Sequence, residues 1–448
     1  MPDIRPNRLS REEIARNFSE LHPPLSHSEA LIEADRCYFC FDAPCTTACP
    51  TDIDIPLFIQ KIRSGNVRGS AHTILAENIM GGMCARVCPT EVLCEDACVR
   101  NTHEEKPVEI GLLQRYATDP VIDDDTPLFT RAEASGRRVA VVGGGPAGLS
   151  CAHRLAVLGH KVDLFDRDEK LGGLNEYGIA AYKTVNDFAQ REIDYILSIG
   201  GIEVKNGVAL GKDTTITRLR DEYDSVFLGV GLAGINQLGV EGEELPGVEN
   251  AVEYIAELRQ ASDKGELPVG RRVVVIGGGM TAIDVAVQSK RLGAQRVDIV
   301  YRRSFDQMGA SDYEKNLART SGVTIRPFAR PLKILGPGHA SGVLFEKTTL
   351  DENGSLADTG ETFTLDADVV FKAIGQQLRD GVLEDGSIRM QAGKVVVDEN
   401  QATSLAGVWA GGDCVVGGDD LTVTAVQHGK VAAIAIDHYL RTREKGYG

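Results

Sequence analysis

Apolar positions along the chain alternate between two spacings, short continuous runs and helical periods, and the alternation predicts an α/β protein. The runs bounded by charge or glycine read as buried strands: Arg138-Val-Ala-Val-Val142, Lys161-Val-Asp-Leu-Phe165, Arg272-Val-Val-Val-Ile276, Val297-Asp-Ile-Val-Tyr301, Ala367-Asp-Val-Val-Phe371 and Gly407-Val-Trp-Ala410. An apolar helix ending near Gly159 separates the first two, and Thr422 to Tyr439 reads as a closing helix with Ala and Val on one face. The first quarter of the chain has another character. Residues 1–27 are polar with several prolines and read as an extended arm. Ser28 to Asp35 has a capping residue and helical spacing, while Pro56 to Arg63 and Ser70 to Asn78 read as short helices separated by Gly65 and Gly69. The acidic stretch Asp119-Pro-Val-Ile-Asp-Asp-Asp-Thr-Pro127 reads as a linker. The expected architecture is a small α-helical domain over residues 1–125, a Rossmann-like domain over 126–260 and 375–448, and a second Rossmann-like domain over 261–374 inserted in it.

At 448 residues the chain is long enough for two to three domains, and 42% hydrophobic with 25% charged residues is ordinary for a globular protein. The net charge of -17 argues against nucleic acid and anionic membrane surfaces as partners. No apolar run approaches a membrane span, and nothing at the N-terminus resembles a secretory signal, so a cytoplasmic location is expected.

Cysteine changes the picture most. Eight of the ten lie between Arg36 and Asp119: Cys37, Cys40, Cys45 and Cys49 read C-x2-C-x4-C-x3-C-P, and Cys84, Cys88, Cys94 and Cys98 read C-x3-C-P-x4-C-x3-C. Disulfides fit poorly with the expected compartment. Zinc usually takes C-x2-C pairs, which the second group lacks. Close thiolates followed by Cys-Pro, with the fourth of a run serving the other cluster, match a two-cluster iron–sulfur pattern. The helical domain is thus expected to be held together by its clusters, and metal removal should unfold it. The other two, Cys151 and Cys414, are far apart and expected to pack. They form no redox dithiol, so electrons must leave by another route.

Gly143-Gly-Gly-Pro-Ala-Gly148 joins a strand to a helix, and the next strand ends on Asp166. That is the dinucleotide fingerprint in full context, with glycines for the tight turn and close pyrophosphate approach and an acid for the ribose. Gly143, Gly144, Gly145, Pro146, Ala147 and Gly148 are all candidate cofactor contacts, together with Asp166. Gly172, Gly173 and Leu174 follow closely and would let backbone pass against a flavin. Gly277-Gly-Gly-Met-Thr-Ala282 repeats the motif, with Gly277, Gly279, Met280, Thr281 and Ala282 as candidate contacts. Its second strand ends on Arg302 and Arg303, and guanidinium groups there suit a ribose 2′-phosphate. On the return, Ala373, Gly375, Gly412, Asp413 and Thr422 are further candidate cofactor contacts. His72, His103, His153, His160 and His428 show no ligand spacing, and no Ser-His-Asp or paired-carboxylate arrangement stands out, so no side chain is assigned acid–base catalysis.

With these residues in place the chain resembles, along nearly its whole length, the family of the glutamate synthase small subunit and the N-terminal half of dihydropyrimidine dehydrogenase. The resemblance rests on the eight cysteines, Gly143–Gly148 with Asp166, Gly277–Ala282, Tyr301-Arg-Arg303 and Ala410-Gly-Gly-Asp413. Within it, the likeness is greatest to the flavin-containing subunit of bacterial two-subunit NAD-dependent dihydropyrimidine dehydrogenases. The resemblance implies that Cys37, Cys40, Cys45 and Cys98 hold one 4Fe–4S cluster and that Cys49, Cys88, Cys94 and Gln114 hold the other, leaving Cys84 as a non-ligand. Gln114 stands in Ile110-Gly-Leu-Leu-Gln-Arg-Tyr-Ala-Thr118, where glutamate synthase small subunits tend to carry Glu. The flavin-proximal stretch, usually like G-I-P-x-F-R-L-P, is Gly178-Ile-Ala-Ala-Tyr-Lys-Thr184, keeping a positive charge in Lys183 while losing the prolines. Gly309 stands where NADPH-using members have a third basic residue.

What the family implies is an electron-input subunit. NAD(P)H on the second Rossmann module reduces FAD on the first, and two clusters carry single electrons outward. NADPH is the expectation from the arginine pair, although the bacterial members are named for NAD. The chain leaves no room for the FMN barrel in which the family reduces uracil or thymine, so an FMN-containing partner subunit is expected. The rival expectations are a glutamate synthase small subunit, a generic ferredoxin oxidoreductase of the same plan, and a scaffold with structural zinc.

Overall fold

The computed structural model describes residue 3 and residues 8–124, 127–379, 381, 383 and 388–444. Among them two five-stranded parallel sheets dominate. In space the first runs Val408–Ala410, Ser225–Leu228, Arg138–Val142, Lys161–Phe165, Ile202–Lys205. The second runs Val248–Asn250, Val369–Ala373, Arg272–Gly277, Arg296–Val300, Thr324–Arg326. The central strands are apolar on both faces because helices cover both, which is why they read as continuous runs. In each sheet the strand that opens the glycine motif pairs in parallel with its successor, Val142 beside Phe165 and Ile276 beside Val300.

The two sheets share one strand order and differ in how an edge is filled. The first takes its edge strand, Val408–Ala410, from the end of the chain. The second takes Val248–Asn250 from a segment that precedes its own first strand. The chain therefore leaves the first sheet after Leu228, builds the second, and returns to complete the first, so the nicotinamide fold is inserted in the flavin fold as expected. A three-stranded antiparallel sheet of Ala329–Leu335, Gly342–Leu350 and Leu356–Asp366 interrupts the insert and has no counterpart in the sequence reading.

The chain forms two compact units, one of residues 1–21, 177–185 and 235–376, the other of 22–176, 186–234 and 377–448. The expected boundary at 260/261 therefore moves to 234/235, because Val248–Asn250 and the helix Ala251–Gln260 pack with the second sheet. The arm is not extended either. Ser10 and Glu13 form a capping box for a helix over Arg11–Asn17, and Ile14 and Phe18, one turn apart, are buried in the core of the inserted unit.

In the cysteine-rich segment the longer helices are His27–Asp35, capped by Ser26, Ile55–Arg63, capped by Asp54, Val67–Glu77, capped by Asn66, and Gly81–Val87 and Ile110–Asp123. Gly69 lies inside a helix instead of between two, because Asn66 caps three residues before it. The supposed linker is also helical. Ile110–Asp123 continues through Pro120, and Asp119 is pinned by Arg86 at 2.9 and 2.7 Å and by Arg115 at 3.0 Å. The end of that stretch, residues 125 and 126, lies outside the described residues.

Candidate cofactor and cluster sites

The strand Arg138–Val142 delivers Gly143–Gly148 into the helix Pro146–Val157, whose N-cap is Gly145. Its first-turn N–H groups lack intrahelical partners, which makes this terminus an anion site. Gly148 is required by packing, since a Cβ there would lie 1.8 Å from Gly143 O. Gly172 N donates to Gly144 O at 2.8 Å, and Gly173 faces Gly145, with 3.0 Å between an added Cβ and Gly145 Cα. Two backbone loops thus face each other with no side chain between them, as a pyrophosphate requires. Asp166 Oδ2 accepts from Gly144 N at 2.5 Å and Oδ1 from Asp168 N at 2.8 Å. Burial raises its pKa against those two donors.

Of Ala147 only the backbone faces the cradle, because its side chain is committed to packing. Its side chain is buried at 4% exposure in the apolar core that joins this helix to the last one, beside Leu149, Ala425 and Val426. Its carbonyl abuts Gly429 of the last helix so closely that a Cβ on Gly429 would lie 2.1 Å from Ala147 O. The small residue is there for helix packing, and only its first-turn backbone N–H is left to serve an anion. The motif could not show this, because the opposing helix lies far along the chain.

The other end of this cradle comes from the last helix, Thr422–Glu444. Thr422 Oγ1 donates to Asn175 Oδ1 at 2.7 Å, fastening the helix to the turn after Leu174. Asn175 Nδ2 and Thr424 Oγ1 are buried without a hydrogen-bond partner among the described residues. His428, on the same helix face as Thr424, accepts the Gly412 N–H on Nδ1 at 3.1 Å and so holds the loop of Gly411, Gly412 and Asp413. Burial, then Asp420, lifts the Asp413 carboxyl to about 6. A glycine-walled cradle, a strand-end carboxylate and orphaned buried polar atoms fit FAD. His428 escaped the sequence reading because its partner is a backbone N–H, which no residue spacing announces.

In the inserted unit Gly277 has φ +151°, and a Cβ there would lie 2.1 Å from Ala373 O. Ala373, at the end of the strand Val369–Ala373, is therefore the neighbour of this glycine loop in the second sheet. Ala373 thus lies in the inserted fold, as its expected bounds of 261–374 have it, and Gly375 belongs to the same unit instead of opening the return to the first sheet. Gly279 caps the helix Met280–Arg291, and a Cβ on it would meet nothing within 4 Å, so the loop is open beside Met280 and Thr281. Ala282, in place of the third glycine, is fully buried. Arg302 and Arg303 are exposed and make no ion pair among the described residues, while Thr348 Oγ1 and Phe328 N fix their carbonyls at 2.7 and 3.0 Å. Their neighbours are committed: Arg296 and Arg326 both pair with Asp298, at 2.6 and 2.7 Å. Two free guanidinium groups on a fixed backbone fit a dinucleotide phosphate.

Lys183 is corrected as well. Its ammonium group is buried between Asp284 at 2.8 Å and Glu314 at 2.6 Å, so its charge is consumed inside the inserted unit. Burial opposes the charge, but the two carboxylates outweigh it and raise the pKa. It holds the segment 177–185 onto the helix Met280–Arg291 instead of offering a free cation.

Cys37, Cys40, Cys45 and Cys98 line one pocket with Ile55 and Ile59. The Phe39 and Val108 N–H groups donate to Cys37 Sγ at 3.4 Å and Cys98 Sγ at 3.5 Å, contacts that favour thiolates. In a second group Cys88 hydrogen-bonds Cys84 and feels the thiols of Cys94 and Cys49. Burial and neighbouring Cys37 push the Cys45 thiol up to about 12, and Cys94 is likewise raised by burial. Buried thiols that resist ionisation alone fit a metal centre, whose positive charge offsets theirs. Among the described residues no three His, Cys, Asp or Glu side chains are placed to hold a single metal ion. The first four thiols surround a space instead of a point, and a cluster fits that better than zinc. Gln114 is buried, and its Nε2 donates to Gly81 O at 2.7 Å, which leaves the amide oxygen as the uncommitted end.

One Ser-His-Asp chain does form: Ser135 Oγ to His160 Nδ1 at 2.8 Å and His160 Nε2 to Asp437 Oδ1 at 2.9 Å. His160 is 1% exposed with both ring nitrogens engaged, and Ser135 Oγ already accepts the Arg137 N–H. It fastens the segment before the first strand to the last helix.

Two dinucleotide folds and a cysteine-lined helical segment define an NAD(P)H-dependent flavin and iron–sulfur oxidoreductase. Residues 137–429 match the family described as pyridine nucleotide-disulphide oxidoreductase, and residues 14–126 match dihydropyrimidine dehydrogenase domain II, 4Fe-4S cluster. The chain belongs to the pyridine nucleotide-disulphide oxidoreductase family, in the iron–sulfur branch read from its motifs. It is 34% identical over 424 residues to the NAD-dependent dihydropyrimidine dehydrogenase subunit PreT of Salmonella typhimurium, covering 94% of this chain and 97% of the relative. It is 33% identical over 462 residues to the glutamate synthase (NADPH) small chain of Escherichia coli, covering 98% and 96%. The fold is that of Mycobacterium tuberculosis FprA in complex with NADPH, with a TM-score of 0.59 and 19% identity over 69% of this chain and 86% of that one. Thioredoxin reductase of T. acidophilum gives a TM-score of 0.55 and 22% identity over 68% and 99%. The cofactors are iron–sulfur clusters, FAD and NAD(P)H.

Proposed function

We propose that this chain is the electron-input subunit of a dihydropyrimidine dehydrogenase, working in the cytoplasm with an FMN-containing partner that reduces uracil or thymine. The observation that carries the reading is Gln114, buried with its nitrogen tied to Gly81 O and its oxygen free to ligate. Cys37, Cys40, Cys45 and Cys98 would hold one cluster, and Cys49, Cys88, Cys94 and Gln114 the other. The backbone of Gly143–Gly148, with Asp166, Gly172, Gly173, Gly412, Asp413 and Thr422, would hold FAD, and Gly277, Gly279, Met280, Thr281 and Ala282 the nicotinamide dinucleotide. When bound, these groups supply hydride acceptance, splitting of the electron pair and single-electron conduction. The chain's own residues bind, orient and set potentials, and none moves a proton in the reaction. The free Arg302 and Arg303 favour NADPH.

The second reading, a glutamate synthase small subunit, is favoured by the near-equal identity and full coverage of that relative. Co-purification separates the two, with an FMN subunit retained in the first and a large glutamine-hydrolysing subunit in the second. Iron analysis should find near eight irons per chain, as two four-iron clusters require. Uracil reduction by the isolated chain would overturn the first reading. Replacing both arginines by alanine should lower kcat/KM for NADPH by about tenfold or more, the loss expected of charge-assisted contacts, and leave NADH unchanged. Equal losses with both nucleotides would remove the NADPH assignment.

A further inference from the structure

Outside the cofactor cradles, Lys430 is a cation on the last helix buried against the loop that follows Cys49. Its Nζ donates to Thr51 O at 3.0 Å and pairs with Glu77 Oε2 at 2.9 Å. Thr51 is itself fully buried, and its Oγ1 lies 3.3 Å from Cys49 Sγ. A thiolate has no proton to give, so with Cys49 ionised the Thr51 hydroxyl must be the donor.

The charges around this point do not cancel. The Lys430 side chain is 10% exposed and that of Glu77 is 45% exposed, so solvent screens the carboxylate far more than the ammonium group. Arg154, half-buried, adds a second cation beside Glu77 and donates to Ala76 O. The same helix begins at Thr422 in the flavin cradle, and Leu421 and Val423 pack in one apolar core with Cys49, Cys84, Ile53 and Ile74. One rigid element therefore touches both the flavin cradle and the Cys49 loop.

We propose that Thr51 and Lys430 hold the Cys49 thiolate and raise the reduction potential of the cluster it ligates. Reduction adds negative charge to a cluster. A hydroxyl donating to its sulfur and an under-screened cation behind that hydroxyl both stabilise the reduced form. A neutral Gln114 oxygen in the ligand set acts in the same direction. The proposal rests on the ligand set given above, and the test distinguishes the two.

The experiment is a redox titration of both clusters by electron paramagnetic resonance on the flavin- and iron-loaded protein. Thr51→Val, nearly isosteric, should lower the midpoint of one cluster by about tenfold in its electron-sharing equilibrium, or 59 mV for one electron, and leave the other where it was. Thr51→Ser should restore it. Lys430→Met should lower the same midpoint, and Lys430→Arg should restore it. A purely structural anchor would leave both midpoints unmoved in loaded protein, and that result in Thr51→Val would overturn the proposal. Cys49→Ser tests the ligand set separately: loss of about half the iron supports it, and full iron in that variant would overturn the ligand set and this proposal with it.

Discussion

Glu192 sits fully buried on the helix Phe188–Leu197, its Oε1 accepting from Gly82 N at 2.8 Å and Met83 N at 3.0 Å. Burial pushes its carboxyl up to about 8, against those donors and nearby Arg86. A carboxyl raised on folding binds its proton more tightly in the native state. Its stabilising contribution is therefore full below the ordinary carboxylate range and is lost as pH rises towards 8. A glutamine can accept the same two N–H bonds without that loss. Glu192→Gln should thus gain on the wild type between pH 5 and pH 8.5, by on the order of 1–3 kcal/mol. Melting temperatures at the two pH values check it, and a constant gap would contradict the assignment. Asp166 at a strand end, the eight cysteines, Arg302 and Arg303 stand out in the sequence by residue type and spacing alone. Glu192, His428 and Thr51 do not, because each acts on a backbone or sulfur partner that only folding brings near. Lys183 was misjudged for the same reason, since its two carboxylates lie 101 and 131 residues away in the chain. The packing role of the Ala147 side chain was hidden too, because its neighbours are Ala425, Val426 and Gly429 of the last helix.

At the scale of elements, the N-terminal helix Arg11–Asn17 shows how few apolar residues secure a polar segment. Ile14 and Phe18 anchor it, with Phe18 in the same core as Tyr182, Val285 and Ala286. Phe18→Ala should cost about 3–5 kcal/mol through lost burial and a cavity, whereas Ser10→Ala, which removes only the cap, should cost about 1 kcal/mol. Urea denaturation of the two variants checks the ranking, and equal small losses would mean that the arm contributes little. The buried strands and the helix after the first glycine motif match their sequence expectation within about two residues, because continuous apolar runs are local signals. The edge strand Val248–Asn250, of three residues, carries too little pattern to assign to a sheet. Pro120 misled for the opposite reason, a strong local signal overridden by tertiary contacts of Asp119 with Arg86 and Arg115.

Across the whole molecule, the described residues contain no helix long and apolar enough to cross a membrane. The apolar core of the cysteine-rich segment has cysteines built into it: Cys49 and Cys84 are buried beside Ile53, Phe58 and Leu113. Iron removal by a chelator should therefore release hydrogen-exchange protection across residues 27–123, while residues 269–300 of the inserted unit keep theirs. Protection unchanged in the iron-free protein would show that apolar packing alone holds the segment. The class was readable from the chain alone: two glycine-rich strand-to-helix turns and a cluster spacing are covalent patterns within some thirty residues, each with a well-known chemical use. The long-range partners that complete each site emerge on folding. Cys98 joins Cys37, Cys40 and Cys45, Ala373 backs Gly277, and the last helix serves both the flavin cradle and the Cys49 loop. Those pairings follow from packing apolar faces and satisfying buried polar groups, and neither constraint is visible until the chain has folded.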